Sequence, residues 1–244
     1  MLIGKCSFQR VTFSTFQLPR RSVKKGCQIG PHLSTSVQKT ALTYIYLIIE
    51  AITSLSQLDL SKRYSYKDYL TWHFSDFVEL IRGRIVKMSP APQTRHQVVV
   101  LNIAAAIKQY LRKKQCQVFV APFDVRLPKK SETADEQIFT VVQPDVCIVC
   151  DPNKIDRRGC LGAPDMVVEI LAPGNMSHDA RTKYALYEEF RVKEFWLVSP
   201  GDENVVVYHL QDGKFVLHQE YAEPGPIPIA ALPGFSLEWS EIFT

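Results

Sequence analysis

Apolar residues recur along this chain with two different periods, and the change from one to the other marks its elements. "SYKDYLTWHF" (65–74) has the spacing of a short helix, and "VELIRGRIVKM" (78–88) is two β-rich runs that turn at Arg82-Gly83, the mark of a hairpin. The Pro-rich "SPAPQ" (89–93) interrupts the pattern and leads into a long helix over about 94–114. Its apolar positions are Val99, Ile103, Ala106, Ile107, Tyr110 and Leu111, and its last turn carries Arg112, Lys113 and Lys114. Basic residues there suit the negative end of the helix dipole and need no ligand. Strands are predicted over 117–121 and 123–127, then a polar loop, "LPKKSETADEQ" (127–137). Apolar runs at 139–142 and 145–150, a loop (151–164) and a strand over 165–172 follow. After a break at Pro173-Gly174 the spacing predicts a helix over about 178–191 and then three strands, "EFWLVSP", "NVVVYHL" and "KFVLHQEY", before a tail containing "LPGF" (232–235). Strands flanked by two well-separated helices, with several hairpin-length links, predict a mixed sheet in an α/β or α+β domain.

Length and charge divide the chain unequally. It has 244 residues and no internal repeat, enough for one medium domain with an appendage. The first fifty residues hold seven of the 29 basic residues and one of the 25 acidic ones, so positions 51–244 carry 22 basic against 24 acidic residues, a net of −2. The overall charge of +4 therefore belongs to the leader, and a nucleic-acid partner would have to be bound by a local site. Residues 1–51 are basic, Ser/Thr-rich and without periodicity. They read as a disordered leader or an over-extended reading frame in preference to a transit peptide, with the domain proper over 52–244. Their apolar stretch "ALTYIYLII" is too short to span a bilayer, and no membrane association is expected.

Six cysteines lie at 6, 27, 116, 147, 150 and 160. In a strand, Cys147 and Cys150 of "CIVC" point to opposite faces and cannot clasp one zinc ion. They read as core thiols of a reducing, cytoplasmic compartment. The sequence contains no G-x-x-x-x-G-K-[ST], G-x-S-x-G or H-E-x-x-H, so no nucleotide cofactor is expected.

The chemistry gathers around "APDMVVEILAP" (163–173), where Glu169 stands alone among Met166, Val167, Val168, Ile170 and Leu171. Asp165 shares its strand face, but four residues at about 3.3 Å each separate the two Cα atoms by roughly 13 Å, too far for one ion. Asp165 thus reads as a strand-entry residue. If 145–150 pairs antiparallel with 165–171, Asp145 of "QPDVCIVC" comes beside Glu169. Two adjacent carboxylates repel unless a cation lies between them, and oxygen ligands without histidine favour Mg²⁺ or Mn²⁺. On the following helix, Ala180, Leu186, Tyr187 and Phe190 form an apolar stripe, and Lys183 falls in its middle. A lysine there must snorkel out or meet a buried anion. It lies about 8 Å along the axis from the strand that carries Glu169, within reach of it.

Together, "VELIRGRIVKMSPAP" with His96, "QPDVCIV", "APDMVVEILAP", Lys183 and Tyr187, "VKEFWLVSP" and "LPGF" resemble the Uma family of restriction-endonuclease-like proteins, in the PD-(D/E)XK nuclease superfamily. The resemblance covers about 52–244. It implies a restriction-endonuclease-like core, a central mixed sheet flanked by helices with extra β-hairpins. It also implies a Mg²⁺-dependent endonuclease acting on DNA, with a homodimer fitting cleavage of both strands. By the resemblance, Asp145 is the first metal acid and Glu169 the acid of the E-x-K element. The lysine position of that element is Leu171 here, a departure from the superfamily, and Lys183 is the candidate replacement. Glu79 matches an acid usual at that place in the family and is a further candidate, although a hairpin ion pair would also account for it. His96 reads as an ordinary capping or surface histidine, and His178 and Asp179 as helix-start residues. Two rival readings are a nuclease-fold binding or regulatory module that no longer cuts, and a metal-dependent hydrolase of another phosphate ester.

Overall fold

The computed structural model describes residues 51–88, 94–129, 132–171 and 176–244. The leader, the Pro-rich 89–93 and the break at Pro173-Gly174 lie outside the described residues. So do the side chains of His178 and Asp179.

A short helix, α1 (Tyr66–Tyr69), is capped by Ser65. The hairpin expected at Arg82-Gly83 follows, with β1 (Val78–Ile81) paired antiparallel to β2 (Arg84–Lys87). Both turn residues have positive φ, 53° and 82°, the two-residue geometry that matches strand twist. The long helix, α2 (Thr94–Tyr110), ends earlier than its periodicity predicts, because the chain tightens after Tyr110 and Lys113 adopts a left-handed φ of 63°. Next come β3 (Gln117–Val120), β4 (Val125–Arg126), β5 (Val141–Val142) and β6 (Val146–Val149). The stretch 151–164, read above as a loop, carries a small hairpin, β7 (Ile155–Asp156) and β8 (Gly159–Leu161). These strands are too short to show a period of two. The last elements are β9 (Met166–Ile170), α3 (Met176–Glu189), β10 (Glu194–Ser199), β11 (Asn204–Gln211), β12 (Lys214–Tyr221), β13 (Pro226–Pro228), β14 (Ser236–Glu238) and α4 (Trp239–Phe243).

These elements form an α+β fold built on two six-stranded sheets. The first runs β12-β11-β10-β9-β6-β3, with β9 and β10 parallel and the remaining pairs antiparallel. The second runs β2-β1-β5-β4-β8-β7. Alternation along the first sheet sends its side chains to two cores. Val146, Ile148, Met166, Val168 and Trp196 pack with Val99, Ile103 and Ile107 of α2 and with the tail residues Ile227, Leu232 and Leu237. Cys147, Val149, Val167 and Phe195 pack on the other side with Leu186 and Tyr187 of α3 and with Ile81, Val125 and Val142 of the second sheet. The first sheet is thus covered by α2 on one face and by α3 with the second sheet on the other.

Cys147 and Cys150 do face opposite cores, as strand geometry requires. Cys147, expected in the core, is buried and free, as is Cys160. Cys116 and Cys150 instead form a disulfide. The β3–β6 register pairs Gln117 with Val149, so the next residues out, Cys116 and Cys150, stand opposite each other, a proximity that sequence separation conceals. No helix among the described residues is long and apolar enough to cross a membrane.

Candidate functional site

Strands β6 and β9 pair as their patterns predict: Val146 lies opposite Val168, Cys147 opposite Val167 and Ile148 opposite Met166. One step further out, Asp145 reaches the level of Glu169. There the Ile170 N–H donates to Asp145 Oδ2 at 2.7 Å, so a side chain extends the ladder where the β6 backbone leaves it. Glu169 points toward α3. Its Oε1 accepts the Tyr187 hydroxyl at 2.5 Å and lies 3.3 Å from Lys183 Nζ. The ammonium also donates to Glu79 Oε1 at 2.6 Å, and the Gln143 N–H donates to the same oxygen at 2.7 Å.

Each of these positions has a local cause. Leu186 and Tyr187 seat α3 on the sheet, which turns Lys183, one helical turn before Tyr187, inward as well. Glu79 shares the face of Ile81 on β1, the face that packs toward the first sheet. Gln143, just before Pro144-Asp145, ties Glu79 to a further polar group. Its side-chain amide donates to Asp124 Oδ1 at 2.8 Å and to the Tyr69 hydroxyl at 3.3 Å.

Negative charge is in excess at this point. Among the described residues two carboxylates, Glu79 and Glu169, meet one ammonium, with Asp145 beside Glu169 on the neighbouring strand, and the Lys183 and Glu79 side chains are only 5% and 3% exposed. Burial pushes Glu169 up to about 8. Lys183 and the Tyr187 hydrogen bond pull it down, while the charges of Asp145 and Glu79 push it up further. Burial and the adjacent Glu169 also hold the Tyr187 hydroxyl far above the ordinary tyrosine range, so it stays a donor.

The structure brings together all four residues singled out from the sequence, Asp145, Glu169, Lys183 and Glu79. It sets Asp165 apart. That carboxylate accepts the Cys150 N–H at 2.8 Å and Lys193 Nζ at 2.7 Å at the entry to β9. Leu171, at the lysine position of the E-x-K element, continues the β9–β10 pairing through its N–H to the Val198 carbonyl.

His96 departs from the surface or capping role read above: its Nε2 lies 3.3 Å from Asp145 Oδ2, and its side chain is 12% exposed. Burial opposes a charge on this imidazole, but the contacts with Asp145 and with the Ile170 backbone together outweigh it and raise its pKa above the usual value. The signal was present in the helix period, since position 96 precedes Val99, Ile103 and Ile107 by three, seven and eleven residues and shares their buried face. Gln143 and Asp124 had no such signal, because what places them is pairing across the second sheet.

A hard divalent cation suits this donor set. The hydrogen bonds to Glu169 gather on Oε1 and those to Asp145 on Oδ2, which leaves one oxygen of each outside the hydrogen bonds of the described residues. Among the described residues no group of three or more His, Cys, Asp or Glu side chains closes on a common point. Two carboxylates are nevertheless sufficient for Mg²⁺, which keeps several waters and takes further oxygens from a phosphate.

Comparison with known proteins yields a family and a fold. The model of the Uma2 family, described as "putative restriction endonuclease", matches residues 66–240. A crystal structure from Anabaena variabilis ATCC 29413, described as a putative nuclease belonging to DUF820, superposes with a TM-score of 0.58 at 18% identity. It covers 74% of this chain and 97% of its own. At that identity the likeness speaks for the fold. No curated protein matches the chain.

Proposed function

The chain belongs to the Uma2 family, and from that membership and the carboxylate cluster at the end of β9 we propose that it is a Mg²⁺-dependent endonuclease hydrolysing phosphodiester bonds of DNA. The observation that carries this reading is Lys183, buried between Glu79 and Glu169 with Asp145 on the neighbouring strand. A structural ion pair needs one acid, whereas two acids on one ammonium, with a third carboxylate beside them on β6, leave a deficit of positive charge that a divalent cation would correct.

Asp145 and Glu169 would hold the ion through the oxygens that lie outside the hydrogen bonds of the described residues. When bound, Mg²⁺ supplies a Lewis acid for a phosphodiester oxygen and acidifies a water. The remaining work belongs to the chain. Tyr187 holds Glu169 in one rotamer through Oε1. Lys183, fixed by Glu79, would stand beside the scissile group, where its ammonium offsets negative charge developing on the phosphorus oxygens and orients the attacking water. Residues 51–244 are slightly acidic, so DNA affinity would come from this site and its ion rather than from a broad basic surface. Cleavage of both strands of a duplex would be served by a homodimer.

Plasmid nicking in Mg²⁺ tests the reading. The wild type is expected to nick supercoiled DNA, and Asp145→Ala and Glu169→Ala to lose at least about a hundredfold in rate. Lys183→Ala should keep its metal affinity and lose rate by about two to three orders of magnitude. Equal cleavage by wild type, Asp145→Ala and Glu169→Ala would overturn the site. A folded wild type that binds DNA without cutting it would favour the binding module.

A further inference from the structure

His96 occupies a place that packing alone does not explain. It sits on the buried face of α2 with Val99 and Ile103, where a leucine would fill the volume. The imidazole instead leaves its buried Nδ1 without a hydrogen-bond partner among the described residues. An unsatisfied buried polar group costs about 1–3 kcal/mol, so the ring needs a compensating contact. Its Nε2 lies 3.3 Å from Asp145 Oδ2, and the Ile170 backbone also meets the ring.

That same oxygen already accepts the Ile170 N–H from β9 at 2.7 Å. Asp145 Oδ2 is therefore approached from two directions, by a backbone donor of the sheet and by a side-chain donor of the helix packed on its other face. With one oxygen engaged on two sides, rotation of the carboxylate about its last torsion is blocked, and Oδ1 is presented in a single direction. Pairing of strands alone would not achieve this, because one hydrogen bond leaves a carboxylate free to swing about it.

We infer that His96 is the positioning residue for Asp145: its Nε2–H clamps Oδ2 so that Oδ1 is preset for a divalent cation. This rests on the reading of Asp145 as a metal-holding acid. Hydrogen-bond partners behind a metal ligand typically govern about ten- to a hundredfold in metal affinity when removed.

The test is Mn²⁺ binding to the full chain without DNA, followed by the loss of the free-ion EPR signal, in the wild type, His96→Leu, His96→Gln and Asp145→Ala. Leucine keeps the volume and removes the donor, so His96→Leu should bind Mn²⁺ about ten- to a hundredfold more weakly while melting at or above the wild-type temperature. Glutamine restores an N–H at similar reach, and His96→Gln should return to within a few-fold of wild type. Asp145→Ala should lose the site. Mn²⁺ affinity unchanged in His96→Leu but lost in Asp145→Ala would overturn the clamp and leave the metal reading standing. His96→Gln as weak as His96→Leu would also overturn it, since a metal ligand or a packing residue, not a donor, would then be indicated. Asp145→Ala binding as tightly as wild type would remove the metal reading and the clamp with it. If His96→Leu does not fold, His96→Asn, whose amide stops short of Asp145, replaces it in the same comparison with the same outcomes.

Discussion

Lys183 was legible because its anomaly is local: a cation in the middle of an apolar helix stripe has to be answered by an anion, and the answer proved to be Glu79 and Glu169. His96 carried an equally local sign, its place on the buried face of α2, but its partner lies on a strand far along the chain, and only folding joins them. The coupling of Lys183 to its acids sets an expectation for stability. Lys183→Met removes one partner of a buried pair and should destabilise the protein by about 3–5 kcal/mol at about pH 9. The loss should shrink at about pH 5, because the Glu169 carboxyl, raised to about 8 by burial, is protonated there and no longer needs the ammonium. Urea denaturation of both proteins at about pH 5 and about pH 9 measures the difference, and an equal loss at both would assign the coupling of Lys183 to Glu79 rather than to Glu169.

Elements whose strands exceed three residues could be read from their periods, and the β6–β9 pairing that aligns Asp145 with Glu169 followed from two such strands. The hairpin β7–β8 and the pair β13–β14 were not readable, since two or three residues cannot display a period. The β1–β2 hairpin was, because its turn demands a particular residue. Gly83 has a φ of 82°, and a Cβ there would stand 3.0 Å from Arg63 Cβ and 3.3 Å from the Tyr64 carbonyl oxygen. Gly83→Ala should therefore lower stability by about 1–2 kcal/mol through backbone strain and crowding. Because this hairpin carries Glu79, the variant should also lose nicking rate while keeping its Mn²⁺ affinity. Thermal melting and the Mn²⁺ titration together check this, and a variant that melts with the wild type would show that the turn tolerates a side chain.

At the scale of the molecule, an expected central sheet with extra hairpins proved to be two six-stranded sheets facing each other through one core. The second sheet was hidden because its links, β1 to β5 and β4 to β8, join short segments distant in sequence. Its arrival is what buries Glu79 beside Lys183 and gives the site its excess of negative charge. That excess ties global stability to pH and to cations. The Glu169 carboxyl titrates near 4.5 when the chain is unfolded and at about 8 when it is folded. Between those values the folded state holds a proton that the unfolded state has released. The contribution of this group to stability is therefore fully present below about 4.5 and is lost as pH rises to about 8. A divalent cation held by Asp145 and Glu169 would favour the ionised form and compete with that proton, so its stabilising effect should grow across the same window. Addition of about 10 mM Mg²⁺ should accordingly raise the melting temperature more at about pH 8.5 than at about pH 5.5. Asp145→Ala should abolish the increment at both. The same rise at the two pH values, or one that survives in Asp145→Ala, would place the cation away from these carboxylates and assign the high titration of Glu169 to burial alone.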